Sequence, residues 1–143
     1  MTATEKDLTL TVERVIDATP ERLFDAWLDP DTMKRFICPG ETVVPRASSD
    51  AVEGGRFEII MRNGDKDLPH TGTYREIDRP NRLVFTWESH ASRDDSEVTI
   101  TFTPAPGGTR VQLTQVRFVS EEQREGHRWG WTSILEKLSQ LDG

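Results

Sequence analysis

The stretch Ser120-Glu121-Glu122-Gln123-Arg124-Glu125-Gly126-His127-Arg128-Trp129-Gly130-Trp131-Thr132-Ser133-Ile134-Leu135-Glu136-Lys137-Leu138-Ser139-Gln140-Leu141 decides the reading of the fold. Ser120 with Gln123 forms a capping box, and Glu121 and Glu122 suit the positive end of a helix. Trp131, Ile134, Leu135, Leu138 and Leu141 then recur at helical spacing as one apolar stripe. A helix of ~21 residues would run ~31 Å, long enough to cross a whole sheet. One apolar stripe needs one broad partner to cover it.

That partner precedes it. From residue 42 onward the apolar period is two, which predicts strands at 42–48, 55–63, 69–78, 82–89, 96–104 and 109–118. Turn chemistry separates most of them, at Asn63-Gly64-Asp65, Arg79-Pro80-Asn81 and Pro106-Gly107-Gly108. Gly54-Gly55 reads as a bulge or turn entering a strand. Phe57, Ile59 and Met61 share one face, as do Leu83, Phe85 and Trp87, then Val98, Ile100 and Phe102, then Val111 and Leu113. Outward Thr99, Thr101 and Thr103 suit a solvated antiparallel face. Further upstream, Leu8, Leu10, Val12, Arg14 and Ile16 alternate as another strand. Thr19-Pro20-Glu21 and Asp29-Pro30-Asp31 each start a short helix, the second over 30–36. The order is strand, two short helices, six strands and one long helix. The expected class is α+β, a curved antiparallel sheet of about seven strands gripping the C-terminal helix.

Composition narrows the function. The chain has 143 residues, with 18 Lys and Arg against 25 Asp and Glu, a net charge of −7. Neither half is basic, which argues against nucleic acid and anionic membrane as partners. Cys38 is the one cysteine, so no disulfide framework is expected and a reducing cytoplasm fits. No apolar run is long enough to span a bilayer. Residues 1–7 read as a flexible lead without the features of a secretory signal, and residues 8–143 as one domain.

Several stretches resemble one family. They are Phe24-Asp25-Ala26-Trp27 followed by Asp29-Pro30, Cys38-Pro39-Gly40, Gly54-Gly55-Arg56-Phe57 and His70-Thr71-Gly72-Thr73-Tyr74. The most specific are Arg79-Pro80-Asn81-Arg82-Leu83-Val84-Phe85-Thr86-Trp87 and His127 leading to Gly130-Trp131, with Leu135 and Leu138 beyond. Together, over roughly residues 8–141, they resemble the bacterial SRPBCC proteins named after the activator of the heat-shock-protein-90 ATPase. These belong to the START-like, helix-grip superfamily. The resemblance implies a helix-grip fold, whose superfamily hosts lipid carriers, hormone receptors, cyclases and co-chaperone domains on one scaffold. Many relatives carry an aromatic where Phe36 stands. Where many carry a His-containing run, this chain reads Leu113-Thr114-Gln115-Val116-Arg117. The Asn- and Trp-rich chaperone-binding domain of the eukaryotic activators has no counterpart in these residues.

Catalytic and metal motifs are sparse. His70, His90 and His127 lie far apart, without zinc-ligand spacing. No nucleophile elbow surrounds a serine, Cys38 has no motif around it, and no glycine pattern makes a phosphate loop. Asp94-Asp95 and Glu121-Glu122 read as solvated charge. No cofactor or metal is expected.

The aromatic set Trp27, Phe57, Tyr74, Phe85, Trp87 and Trp131 falls on inward positions. Each residue reads first as core and, beside that, as the wall of an apolar pocket. With Phe36, Ile59, Met61, Ile100, Leu113 and Leu135 they make the candidate lining of a cavity of a few hundred Å³ between sheet and helix. Arg14, Gln115 and His127 are the polar residues on inward parity. Each reads either as internally satisfied or as an anchor for a ligand with one oxygen-rich end, such as a carboxylate or phenol. Gly130, mid-helix, reads as a close approach to the sheet or as part of a pocket mouth. The leading expectation is non-catalytic binding of a small, largely hydrophobic molecule. The alternatives are an interaction protein docking on a chaperone, and a cyclase- or hydrolase-type enzyme using the same cavity.

Overall fold

Local chemistry starts each helix where the sequence places it. The Thr19 hydroxyl accepts the Arg22 N–H (3.2 Å) and Pro20 occupies the first turn of α1, Pro20–Ala26. Helix α2, Pro30–Phe36, begins at Asp29 with proline again at its start. Both bury their apolar side inward: Leu23 and Phe24 from α1, Met33 and Phe36 from α2. The computed structural model describes residues 8–89 and 95–141. The lead at residues 1–7, His90 and Asp94 therefore lie outside the described residues.

Seven antiparallel strands form one curved sheet. They are β1 (Thr9–Ile16), β2 (Val43–Ser49), β3 (Arg56–Asn63), β4 (Lys66–Asp78), β5 (Arg82–Thr86), β6 (Glu97–Ala105) and β7 (Gly108–Val116), in spatial order β1-β7-β6-β5-β4-β3-β2. From β2 to β7 the strands follow one another as a meander, and β1 closes onto β7 with Leu10 opposite Gln115 and Val12 opposite Leu113. Helix α3, Glu121–Ser139, lies across the concave face. Its 19 residues reach about 28 Å. The sheet's inner face and the inner sides of all three helices share one core.

Three strand boundaries differ by two or more residues from the sequence expectation, one of them the end of β5, at Thr86 rather than 89. Strand β4 begins at Lys66 rather than 69, because only Gly64 and Asp65 separate it from β3. The charged Asp67 there is a cross-strand partner of Arg62, two guanidinium–carboxylate bonds at 2.7 and 3.3 Å stabilising a solvent-facing hairpin end. Strand β7 ends at Val116 rather than 118. Arg117 takes a left-handed backbone (φ 66°), and this sharp bend tucks Phe118 into the core just before α3 starts.

One glycine is needed for packing. A side chain on Gly72 of β4 would meet the Phe57 ring at 2.5 Å and the Thr86 carbonyl at 2.0 Å. Its absence makes room for the Phe57 ring over Gly72.

Candidate functional site

The inner aromatics pack against each other. Phe57 meets Tyr74 and Phe85 with ring centroids 5.3 Å apart in both cases, Trp27 meets Phe36 edge-on at 4.9 Å, and Trp87 meets Trp131 at 4.8 Å. The void among Trp27, Phe57, Ile59, Tyr74, Phe85 and Trp87 measures about 10 Å³, the room of roughly one water. The Tyr74 hydroxyl bonds the Ser49 hydroxyl at 2.8 Å, and burial pushes its phenol pKa up. Phe36, Ile100, Leu113 and Leu135 are fully enclosed and line neither this void nor the two larger clefts beside α3. A single large chamber under the helix is therefore not what these residues form; they form a packed interior.

An open groove lies beside it. It has a volume of about 360 Å³ and runs between the N-terminal half of α3 and the sheet. Met61 from β3, His70 from β4 and Trp87 just after β5 form the sheet wall. Gln123, Gly126, His127, Gly130, Trp131 and Ile134 form the helix wall, with Glu122 and Pro39 completing the lining. Their spacing of three and four residues puts them on one helical face. Gly126 and Gly130, one turn apart, contribute no side chains and so leave the groove its width.

The walls are held from behind. His70 Nδ1–H donates to the Leu68 carbonyl (3.0 Å) and its ring leans on Trp87 at 5.1 Å. His127 Nδ1–H donates to the Gln123 carbonyl (2.8 Å), with its ring against Phe118 at 5.1 Å. Glu88 ties the strand carrying Trp87 to its neighbours. It accepts two bonds from Arg56 at 3.0 and 3.1 Å and one each from Thr71 (3.1 Å) and Thr86 (2.8 Å). The Arg56 guanidinium holds the Glu88 carboxyl below the usual range despite partial burial, with help from the two threonines. Pro39 is placed by the loop over 37–42. Ser133 Oγ accepts the Gly40 N–H (2.9 Å), and Lys137 Nζ donates to the carbonyls of Cys38 and Gly40.

Of the polar trio expected on the inner face, each residue has a different fate. Gln115 is fully buried and satisfied: its Oε1 accepts the Trp131 indole N–H (2.7 Å), and its Nε2 donates to Ser96 Oγ (2.9 Å). The Ser96 hydroxyl in turn donates to the Val116 carbonyl (2.7 Å). His127 lies half-buried in the groove wall. Arg14 is a correction: it is exposed and borders none of the cavities. Alternation assigns a side of the strand, but cover comes from neighbouring elements. On edge strand β1 a long guanidinium side chain reaches solvent.

The groove brings together four of the expected residues, Met61, Trp87, His127 and Trp131. Gly130, which the sequence offered as part of a pocket mouth, lines it too, and the groove adds His70, Gln123, Gly126, Ile134, Pro39 and Glu122. The helical spacing of Gln123, Gly126, Gly130 and Ile134 around Trp131 was the signal that could have found most of them. Close approach of Gly130 to the sheet is also corrected: a methyl there would meet only Pro39, at an ordinary 3.8 Å.

A larger cleft, about 490 Å³, lies at the opposite end of α3. Its walls mix Asp17, Asp25 and Asp29 with Arg22 and Arg35, and Asp25 is paired with Arg79 through two bonds at 2.8 and 2.9 Å. The aromatic rings converge on the smaller groove. Among the described residues no three His, Cys, Asp or Glu gather as a metal site, and no helix is long and apolar enough to cross a membrane.

Comparison with known proteins agrees with this architecture. No curated protein matches the chain. Among solved structures, a Chromobacterium violaceum protein shares the fold at TM-score 0.83 and 24% identity, covering 92% of this chain and 94% of that one. The AHSA1 protein from Silicibacter pomeroyi is 28% identical, with a TM-score of 0.80 and coverage of 92% and 95%. An AHSA1-like protein from Aeromonas hydrophila is 29% identical, with a TM-score of 0.78 and coverage of 92% and 90%. A family model spans residues 17–142, nearly the whole sequence, and the chain belongs to the Activator of Hsp90 ATPase homolog 1-like family.

Proposed function

We propose that this protein binds a small, largely apolar ring molecule in the groove between the sheet and the N-terminal half of α3, in the cytoplasm and without turning it over. The observation that carries this reading is a groove of about 360 Å³ walled by Trp87, Trp131, Met61 and Ile134. Its size falls at the low end of small-molecule sites, and apolar walls with a few convergent polar groups are their usual make-up. Stimulation of a chaperone ATPase is the second reading, favoured by the family match alone.

Nuclear magnetic resonance titration with 2-methoxynaphthalene tests the first reading. The expected result is saturable shifts of the Gly126, Gly130 and Trp131 amides and of the Trp131 indole N–H. Gly126→Leu, at a position with open space around it, should fill the groove and abolish those shifts while the protein stays folded. Shifts confined to the cleft near Arg22 and Leu138, or none, would overturn the reading.

A further inference from the structure

The two ends of the sheet are protected differently. Edge strand β2 carries Pro45, which has no N–H to offer a neighbour, and its register breaks between Val43 and Arg46. Helix α2 also packs against it. Edge strand β1 has none of these. Its eight residues run in unbroken register with β7, without proline, glycine or bulge. Thr11, Glu13, Arg14 and Val15 are exposed. Arg128 Nη1 from α3 donates to the Thr11 carbonyl at 3.4 Å, and the Thr11 and Thr114 hydroxyls meet at 3.1 Å. Both contacts mark Thr11 as a residue whose peptide groups point away from β7, and alternation extends this to Glu13 and Val15. Such a row of backbone donors and acceptors is a template for another strand, and every copy of the chain carries an identical one.

Arg14 conflicts with that template. It shares the inner phase of β1 with Leu10, Val12 and Ile16, where a cation is out of place. The other charge on the strand, Glu13, lies on the outer phase and is held against the sheet by Arg110 (3.5 Å) and Gln112 (3.1 Å) of β7. Arg14 makes no ion pair or hydrogen bond with any described residue. A second copy pairing antiparallel about a two-fold axis at Val12 would set Arg14 of each chain opposite Leu10 of the other. The inner side of that seam would otherwise be Leu10, Val12 and Ile16 from both chains. A guanidinium there gives up water without gaining a carboxylate, and Arg128 at the same edge adds positive charge. Moving the axis to Glu13 or to Arg14 would place like charges directly opposite each other.

We infer that Arg14 keeps the open β1 edge from pairing with a second copy of this chain, and so holds the protein as a monomer. Light scattering coupled to size-exclusion chromatography, over a wide range of protein concentration, tests this on wild type, Arg14→Lys, Arg14→Val and Arg14→Thr. Wild type and Arg14→Lys should keep the monomer mass throughout. Arg14→Val should move toward twice that mass as concentration rises, its association at least about a hundredfold tighter than that of wild type. Arg14→Thr, uncharged and suited to a strand, should associate in the same way but more weakly, so the test stands even if valine at this place disturbs folding. Hydrogen exchange then locates the contact. On association the Thr11, Glu13 and Val15 amides should become protected, since these are the N–H groups a second strand would engage. Association that leaves those amides unprotected would overturn the inference, because another surface would be responsible. Arg14→Val and Arg14→Thr proteins that both stay monomeric would overturn it too. So would wild type or Arg14→Lys associating as tightly as Arg14→Val.

Discussion

The two halves of helix α3 face the same sheet and do opposite things. From Trp131 to Leu138 every inward position is large and buried, and a chain of hydrogen bonds runs behind Trp131, although the Trp27 indole N–H beside it is buried without an acceptor. Trp131 donates to Gln115, Gln115 to Ser96, and Ser96 to the Val116 carbonyl. From Gln123 to Gly130 the inward positions are an amide, a glycine, an imidazole and a second glycine, and the amide oxygen has no partner. Sealing is achieved by volume and by that chain of hydrogen bonds; opening is achieved by glycines and polar side chains at the inward positions. The first half fixes where the helix lies, so the second can remain under-filled without collapsing onto the sheet.

The largest effect should come from the sealed half. Trp131→Ala removes a fully enclosed ring and leaves Gln115 Oε1 without its donor. It should cost about 3–5 kcal/mol in urea unfolding. A loss under about 1 kcal/mol would mean that the helix is not anchored there.

Next comes the sheet wall of the open half. Because the folded state holds the Glu88 carboxyl below its usual range, it favours the ionised form. That stability is fully present above the unfolded Glu pKa, about 4.3, and is lost as pH falls through the folded value. Glu88→Gln should therefore lose roughly 2 kcal/mol at pH 7, discounted for the half-exposed Arg56 partner. The gap from wild type should narrow as pH falls below the unfolded value and close only below the lowered folded one. A pH-independent difference would show that ionisation of Glu88 is not the cause.

A smaller change, of opposite sign, is expected in the groove. Gly130→Ala meets only Pro39 at 3.8 Å, so it should gain about 1 kcal/mol from helix propensity. The price should be weaker binding of 2-methoxynaphthalene, as the methyl narrows the groove. Greater stability with unchanged binding would show that the groove does not depend on this glycine. The smallest effect belongs to neither half: Arg14→Met, at an exposed position, should change stability by less than about 0.5 kcal/mol. Probe affinity should stay the same.

Much of the fold was legible in the chain, because strand and helix periods are local properties. Thr19-Pro20, Asp29-Pro30 and Ser120 start the helices where the sequence places them, although Asp29 makes no side-chain cap bond and Gln123 does not close the capping box. The apolar phases of Phe57 to Met61 and of Val98 to Phe102 mark the inner face. The start of β4 was missed because its stabilising partner for Asp67 is across the hairpin, at Arg62. The site was less legible. Pattern placed Met61, Trp87, His127 and Trp131 on the inner side. It could not say that Phe57, Tyr74 and Phe85 close on each other around about 10 Å³, since packing depends on where several distant rings meet. It placed Gln115 and Arg14 alike on inward parity. Only the partners across the sheet enclosed one and the edge of the sheet exposed the other.

Sequence alone thus determined the elements, their order and the apolar face of each element, because these follow from spacing a few residues apart. Tertiary structure alone decided which inward residues fill space and which border it. That choice depends on contacts between residues tens of positions apart, such as Trp131 with Gln115 and His70 with Trp87. Gln123 shows the difference most plainly: the sequence offered a capping box, and the fold buries its side-chain oxygen without a donor.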